Sequence, residues 1–205
     1  MFVYHRRRLR RQRWADDLLT ERQPWRATRV PYVPFAEIDE RHEDLLGRPI
    51  NLGQALVNSS EGYGNHHMLG RWIREESTID PRLRELVILQ VGYTARSPYE
   101  FSHHVKMSRA YGVTEGDIDS LIAFSRGEPS AFDERERAVL TAAIQLTRDV
   151  DVPDETWARL TPFFSSEQLV ELMLVIGYYN HVVRLLSALR IDVESEYEPY
   201  LAKFY

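Results

Sequence analysis

Glu100 and His104 stand four residues apart in a stretch that reads as one helix, and they are the first place in this chain where chemistry could be done. Side chains at i and i+4 share a helix face and can touch. A carboxylate beside an imidazole fixes its tautomer and raises its basicity, which makes a general acid–base pair. Both lie in residues 81–111, PRLRELVILQVGYTARSPYEFSHHVKMSRAY, together with Glu85, a charge set inside an otherwise apolar segment. An isolated buried charge is costly, so Glu85 must pair or shift its pKa; an ion pair with Arg82 or Arg84 is the ordinary solution. Glu100 has an ordinary role open to it as well. Ser97-Pro98-Tyr99-Glu100 is a capping-box pattern with Glu100 as its N3 member, and cap and catalyst are compatible readings.

Other polar groups interrupt apolar surroundings. His103 adjoins His104, and Glu100-x-x-His103 matches the Glu-x-x-His element of di-iron bundles, but such a site needs a second copy and two further helical glutamates. None is evident, since Asp39-x-x-His42 sits beside a surface strap, and no metal site is expected. Tyr179-Asn180-His181 with Arg184 breaks an apolar helix near the end of the chain. Buried polar groups need partners, so these residues either lean into the same pocket or form a structural network. His66-His67 reads most simply as a surface feature. The sequence holds no Gly-rich phosphate loop, no Gly-x-Ser-x-Gly elbow and no nucleic-acid motif.

The elements that must position these groups are helical. Asp80-Pro81 pairs an N-cap oxygen with Pro at the first helical position, and Leu83, Leu86, Val87, Ile88, Leu89 and Val91 surround the axis, as in a fully buried helix. The helix carrying His104 ends at Tyr111 before Gly112. Thr114, Asp133 with Glu136, and Ser165 with Gln168 start three more, the last reaching about Leu189. Upstream, the three prolines of 24–35 make an extended strap, a helix is expected over 37–46, and 49–76 supplies further helices with Leu52, Leu56, Met68, Leu69, Trp72 and Ile73 as core candidates. No convincing strand appears. The fold class is all-α, one domain over 29–192, flanked by a basic extension 1–28 and an acidic, Tyr-rich tail 193–205.

The totals set the boundaries. With 205 residues, 43% hydrophobic and 28% charged, the chain can build one sizeable core. A net charge of −5 does not favour nucleic acid or an anionic membrane, although residues 1–14 hold six arginines and no acid. No unbroken apolar run reaches transmembrane length and no signal-peptide core follows the first residues, so a cytoplasmic protein is expected. There is no cysteine, hence no thiol nucleophile and no disulfide couple.

Arg84-Glu85-Leu86-Val87-Ile88-Leu89, then Tyr99-Glu100-x-x-x-His104, then Ala110-x-Gly112-Val113-Thr114 with Ile118, resemble the carboxymuconolactone decarboxylase family. Glu171-Leu172 through Tyr179-Asn180-His181 to Leu189 resembles the closing helix of its longer members, and residues 29–47 their lead-in. The resemblance implies an all-helical, AhpD-like bundle assembled as a homo-oligomer, a trimer or hexamer, with a dimer as the alternative. In the AhpD branch a Glu, a Cys-x-x-Cys and a His form a thiol relay; carried over, these fall on Glu85, Ser97, Glu100 and His104. Both sulfurs are missing, so thiol-dependent peroxidase chemistry is excluded. What remains is cofactor-free proton transfer on a small lactone, oxo-acid or related carbonyl substrate, with His104 as acid or base, Glu100 its orienter and Glu85 tuning the pocket. Ser97, His103, Tyr179, Asn180, His181 and Arg184 are the expected pocket residues, and Arg184 or Arg71 could hold a substrate carboxylate. Replacing His104 by Ala is expected to abolish turnover with the thermal midpoint nearly unchanged. The rival is a non-catalytic helical oligomer that binds a small molecule or a protein partner.

Overall fold

No stretch of this sequence sustains the period-two alternation that a half-buried strand needs, and the computed structural model, which describes residues 27–42, 45 and 50–204, has only helices as regular structure there. After 3₁₀ turns at Phe35–Glu37 and Glu40–His42 come α1 (Asn51–Leu56), α2 (Ser60–Glu75), α3 (Pro81–Thr94) and α4 (Pro98–Met107), which runs into a 3₁₀ turn over Ser108–Tyr111. Then follow α5 (Glu115–Ser125), α6 (Glu134–Asp149), α7 (Asp154–Leu160), α8 (Ser166–Leu189) and α9 (Glu198–Phe204). The arginine-rich head to residue 26 and the helix end expected at Gly47 lie outside the described residues. Within them, the segment expected as a helix over 37–46 opens with single 3₁₀ turns at Phe35–Glu37 and Glu40–His42, and Leu45 is α-helical.

α3 is the axis. Asp80 Oδ1 accepts the Leu83 N–H at 2.8 Å and Pro81 opens the first turn, and every residue from Leu83 to Tyr93 is buried. Its neighbours are α4, α6 and α8. One side of α3, with Leu83, Val87 and Val91, joins α6 and α8 in the larger apolar cluster. The opposite side, with Leu86, Leu89 and Tyr93, packs on Phe101, Val105, Ile118 and Leu121. α4 folds back tightly on α3. A Cβ on Gly92 would lie 3.1 Å from the Phe101 backbone nitrogen, so this corner needs the smallest residue.

Three of the expected helix starts form capping boxes: Thr114 with Asp117, Asp133 with Glu136, and Ser165 with Gln168. The fourth does not. The Ser97 side chain makes no cap bond, and Glu100 is turned to a different partner. Gly112 ends the α4 region at φ 84°. Arg82 bridges Asp117 and Glu136, each at 2.5 Å, and so ties α3 to the first turns of α5 and α6.

α8 carries Leu172, Val175 and Ile176 at zero exposure, while Val170 and Leu174 are 59% and 40% exposed. By mean hydropathy rather than unbroken run, α8 is long and apolar enough to cross a membrane, and half of that window is buried inside the protein. Two core candidates were misplaced: Met68 and Leu69 are exposed, because α2 turns Tyr63, Gly70 and Ile73 inward instead. The C-terminal residues pack on the bundle, with Tyr197 and Phe204 buried and α9 against α4.

Leu172→Ala empties a fully buried position and is expected to cost roughly 2–5 kcal/mol in urea unfolding. Val170→Ser, on the same helix but exposed, is expected to stay within about 0.5 kcal/mol.

Candidate active site

Because α4 folds back along α3, His104 meets Glu85 across 19 positions of sequence: its Nδ1 lies 2.7 Å from Glu85 Oε2. Its Nε2 lies 3.0 Å from Glu100 Oε1, the i,i+4 partner on its own helix. Both ring nitrogens therefore face carboxylates, an arrangement only the doubly protonated ring can satisfy at both ends. All three side chains are buried, at 0% exposure for Glu85, 4% for Glu100 and 5% for His104. Burial disfavours a charged ring, yet Glu85 first and then Glu100 outweigh it and raise His104 to about 9. Burial would likewise push the Glu85 carboxyl up, but the His104 ring and then Arg84 hold it below its ordinary value. Arg84, 2% exposed, gives its Nη1 to the Ile73 and Arg74 carbonyls. Its Nη2 stands 3.5 Å from Glu85 Oε1. The ordinary ion pair expected for Glu85 is thus present, with His104 as the closer partner.

Glu100 and His104 line a partly open cavity of about 140 Å³ between α1, α2, α4 and α8. His103 and Tyr179 line it as expected. Tyr179 stands edge-on to His104 with ring centroids 5.3 Å apart. His103 is stacked between Tyr99 and Tyr197, at 4.1 and 3.6 Å, with Nε2 2.7 Å from Glu194 Oε2. Glu194 also accepts from the Asn51 N–H and the Tyr99 hydroxyl, at 2.7 and 2.9 Å. Burial would push its carboxyl up, but His103 and the Asn51 N–H hold it below the ordinary value. A residue from the supposed tail therefore fastens the wall of the cavity.

Four expected pocket residues do not line it. Ser97 is buried at the α3–α4 corner, where its backbone N–H bonds the Gly92 carbonyl. Asn180 is one residue, hence about 100°, round α8 from Tyr179, and donates to Thr147 and the Ile176 carbonyl. Arg184 holds the Asn180 carbonyl and amide oxygens at 2.8 and 2.6 Å. This is the structural network the sequence left open, on the far side of α8. His181 is exposed, with its ring 5.4 Å from that of His66. Arg71, the alternative carboxylate holder, is exposed and paired with Glu75 at 2.8 Å.

In their place the cavity takes Arg74, His66, His67 and Tyr178. The Tyr178 hydroxyl lies 3.1 Å from His66 Nε2, and the two rings stack at 5.1 Å. A Cβ on Gly70 would overlap the Tyr178 hydroxyl, so α2 must carry glycine where α8 presents its tyrosines. The spacing of His66 and Arg74, eight residues apart and so on one face of α2, was the available signal. Among the described residues no group of three or more His, Asp or Glu is arranged to hold a metal ion.

Comparison with known proteins agrees with this architecture. Residues 61–145, which carry α3, α4 and the Glu85–His104–Glu100 group, match the carboxymuconolactone decarboxylase family. The uncharacterized protein YdfG of Bacillus subtilis (strain 168) is 28% identical over 115 residues, 56% of this chain and 78% of YdfG. The apo crystal structure of the debrominase Bmp8 superposes with a TM-score of 0.75 at 18% identity, covering 87% of this chain and 99% of Bmp8. An uncharacterized peroxidase-related protein from Ralstonia eutropha JMP134, described as an alkylhydroperoxidase AhpD core, gives a TM-score of 0.70 at 14% identity. It covers 83% of this chain and 94% of that one. Over residues 61–145 the chain, which has no cysteine, matches the carboxymuconolactone decarboxylase family, and it is built on the AhpD-like helical fold.

Proposed function

We propose that this chain is a cofactor-free acid–base enzyme, a carbon–carbon lyase or related proton-transfer catalyst, acting on a small lactone, oxo-acid or other carbonyl compound. One observation carries the reading: the His104 ring is held between two carboxylates, one sealed behind it and one at the wall of a cavity. With its pKa raised to about 9, His104 holds its proton at neutral pH and starts as the acid. When a carboxylate borne on the carbon adjacent to a carbonyl leaves as carbon dioxide, the electrons of the broken carbon–carbon bond pass into an enolate. The enolate carbon then needs one proton. His104 supplies it from Nε2, directly or by way of Glu100, and regains it from solvent. Glu85 keeps the ring charged and in one orientation throughout, which makes it the orienter, while Glu100 is the carboxylate nearer the substrate.

The small size of the cavity, about 140 Å³, supports the same reading. The debrominase of this fold was also solved, as a variant, in complex with 2,3,4-tribromopyrrole, a ligand of the size this cavity suits. The non-catalytic rival needs Glu100 to be only a helix cap, and the Ser97 side chain forms no such box.

His104→Gln is expected to lower kcat/KM by about 10²–10⁴-fold. His104→Ala should do the same but is not neutral for stability, contrary to the expectation from sequence. It leaves Glu85 and Glu100 buried without their cation, a loss of about 3–5 kcal/mol. Activity must therefore be compared at a temperature where circular dichroism shows each variant folded; full activity in folded His104→Gln would refute the assignment.

Glu85→Gln removes the nearer charge, so the alkaline fall in kcat/KM should move down by about one pH unit or more from its position near the His104 value. An unmoved limb would show that another group sets it.

Stability should follow the same ring. The folded His104 pKa lies above its unfolded value of about 6.5, so its contribution is complete below that pH and is lost as pH rises through about 9. Urea unfolding of the wild type should weaken over that window, and His104→Gln should be flat across it.

A further inference from the structure

The cavity that Glu100 and His104 line also takes a cation, Arg74, that forms no ion pair among the described residues. Arg74, half-buried at the C-terminal end of α2, lies close to the Tyr178 hydroxyl and to Tyr179. Its sequence neighbour Glu75 is taken by Arg71, and no carboxylate among the described residues forms an ion pair with Arg74. It is also the one permanently charged cation among the described residues lining the cavity. A guanidinium fork fixed beside a phenol is preorganised for a planar carboxylate. His66 adds no charge to that end, because burial, with His181, His67 and Arg74 nearby, pushes its imidazole down to about 4.

Shape narrows the ligand further. Nearly half of the lining residues are Tyr or His, and they include two stacked pairs, His66 with Tyr178 at an interplanar angle of 28° and Tyr99 with His103 at 15°. A cavity of roughly 150 Å³ accommodates one benzene ring, and this one measures about 140 Å³. Charge narrows it again. A second carboxylate on the ring would approach Glu100, whose neighbouring cation His104 is already shared with Glu85. Like charges brought close together beside buried groups repel.

We propose that the cavity binds a flat, single-ring monocarboxylate, with its carboxylate on Arg74 and Tyr178 and its ring edge toward Glu100 and His104. As a substrate assignment this rests on the acid–base reading of the same cavity; as a binding site it stands on Arg74 and the stacked ring pairs.

The test is isothermal titration of the full chain with three probes: benzoate, benzamide as its neutral equivalent of the same shape, and isophthalate as the same ring with a second carboxylate. Benzoate is expected to bind at least tenfold more tightly than either of the others. Arg74→Gln should weaken benzoate at least tenfold, Arg74→Lys should weaken it less, and Glu100→Gln should narrow the gap between isophthalate and benzoate. Equal binding of benzamide, equal binding of isophthalate, or no benzoate binding overturns the proposal, as does unchanged benzoate affinity in a folded Arg74→Gln protein. If Arg74→Gln does not fold, Arg74→Lys and the ratio of the three probes on the wild type decide. Selective benzoate binding by a protein that turns over no carboxylic acid or lactone would sink the acid–base reading and leave this site standing.

Discussion

A charged imidazole ring held between two carboxylates in the interior is the interaction on which the rest of this structure depends. Each partner alone would be expensive to bury. Together, Glu85, His104 and Glu100 carry one excess negative charge, and Arg84 behind Glu85 offsets it. The arrangement is tolerable only as a set, which is why removing its centre is far costlier than its small size suggests. It also stores a proton at a pH where a free imidazole would have lost most of it, and a stored proton is the raw material of acid catalysis.

Such a set needs a rigid frame, and α3 provides it. A helix buried on every side cannot rotate to relieve a bad contact, so Glu85 is fixed in azimuth by Leu83, Leu86, Val87 and Leu89 around it. Gly92 lets α4 approach until His104 reaches Glu85. The Arg82 bridge to Asp117 and Glu136 anchors the N-terminal end of α3 to two further helices. Packing sets the electrostatics here, since every distance in the charged group follows from apolar contacts made elsewhere.

What was legible in the sequence follows the same division. Helices, their starts and the buried character of α3 were readable because periodicity and capping are local. Glu85 and His104 were readable because a charge amid apolar residues is locally anomalous. The role of Glu100 was not, since Ser-x-x-Glu serves a cap as well as a site; only the third dimension shows its carboxylate turned to His104. On α8 the polar cluster was correctly seen and wrongly aimed. Tyr179 and Asn180 are adjacent in sequence but about 100° apart on the helix, and the i,i+4 bond from Arg184 to Asn180 could have placed both on the other face. Arg74 carried only its spacing from His66 on α2, and Glu194 no local signal. Their importance comes from contacts with Tyr178 and His103, 104 and 91 positions away in sequence, which no spacing rule reaches.

Glu194 shows why the division into body and tail has little physical meaning at the site. Its carboxylate accepts from Asn51 at the first turn of α1 and from Tyr99 and His103 on α4. Tyr197, three residues on, lies flat against the His103 ring. The walls that α1 and α4 present to the cavity are therefore clasped from outside by a segment that follows the last helix of the bundle. His103 belongs to this clasp, with its Nε2 on Glu194 and a tyrosine on each face, while His104 next to it faces the cavity with two carboxylates. Two adjacent histidines on one helix thus divide the labour: one holds the wall in place, and the other holds the proton.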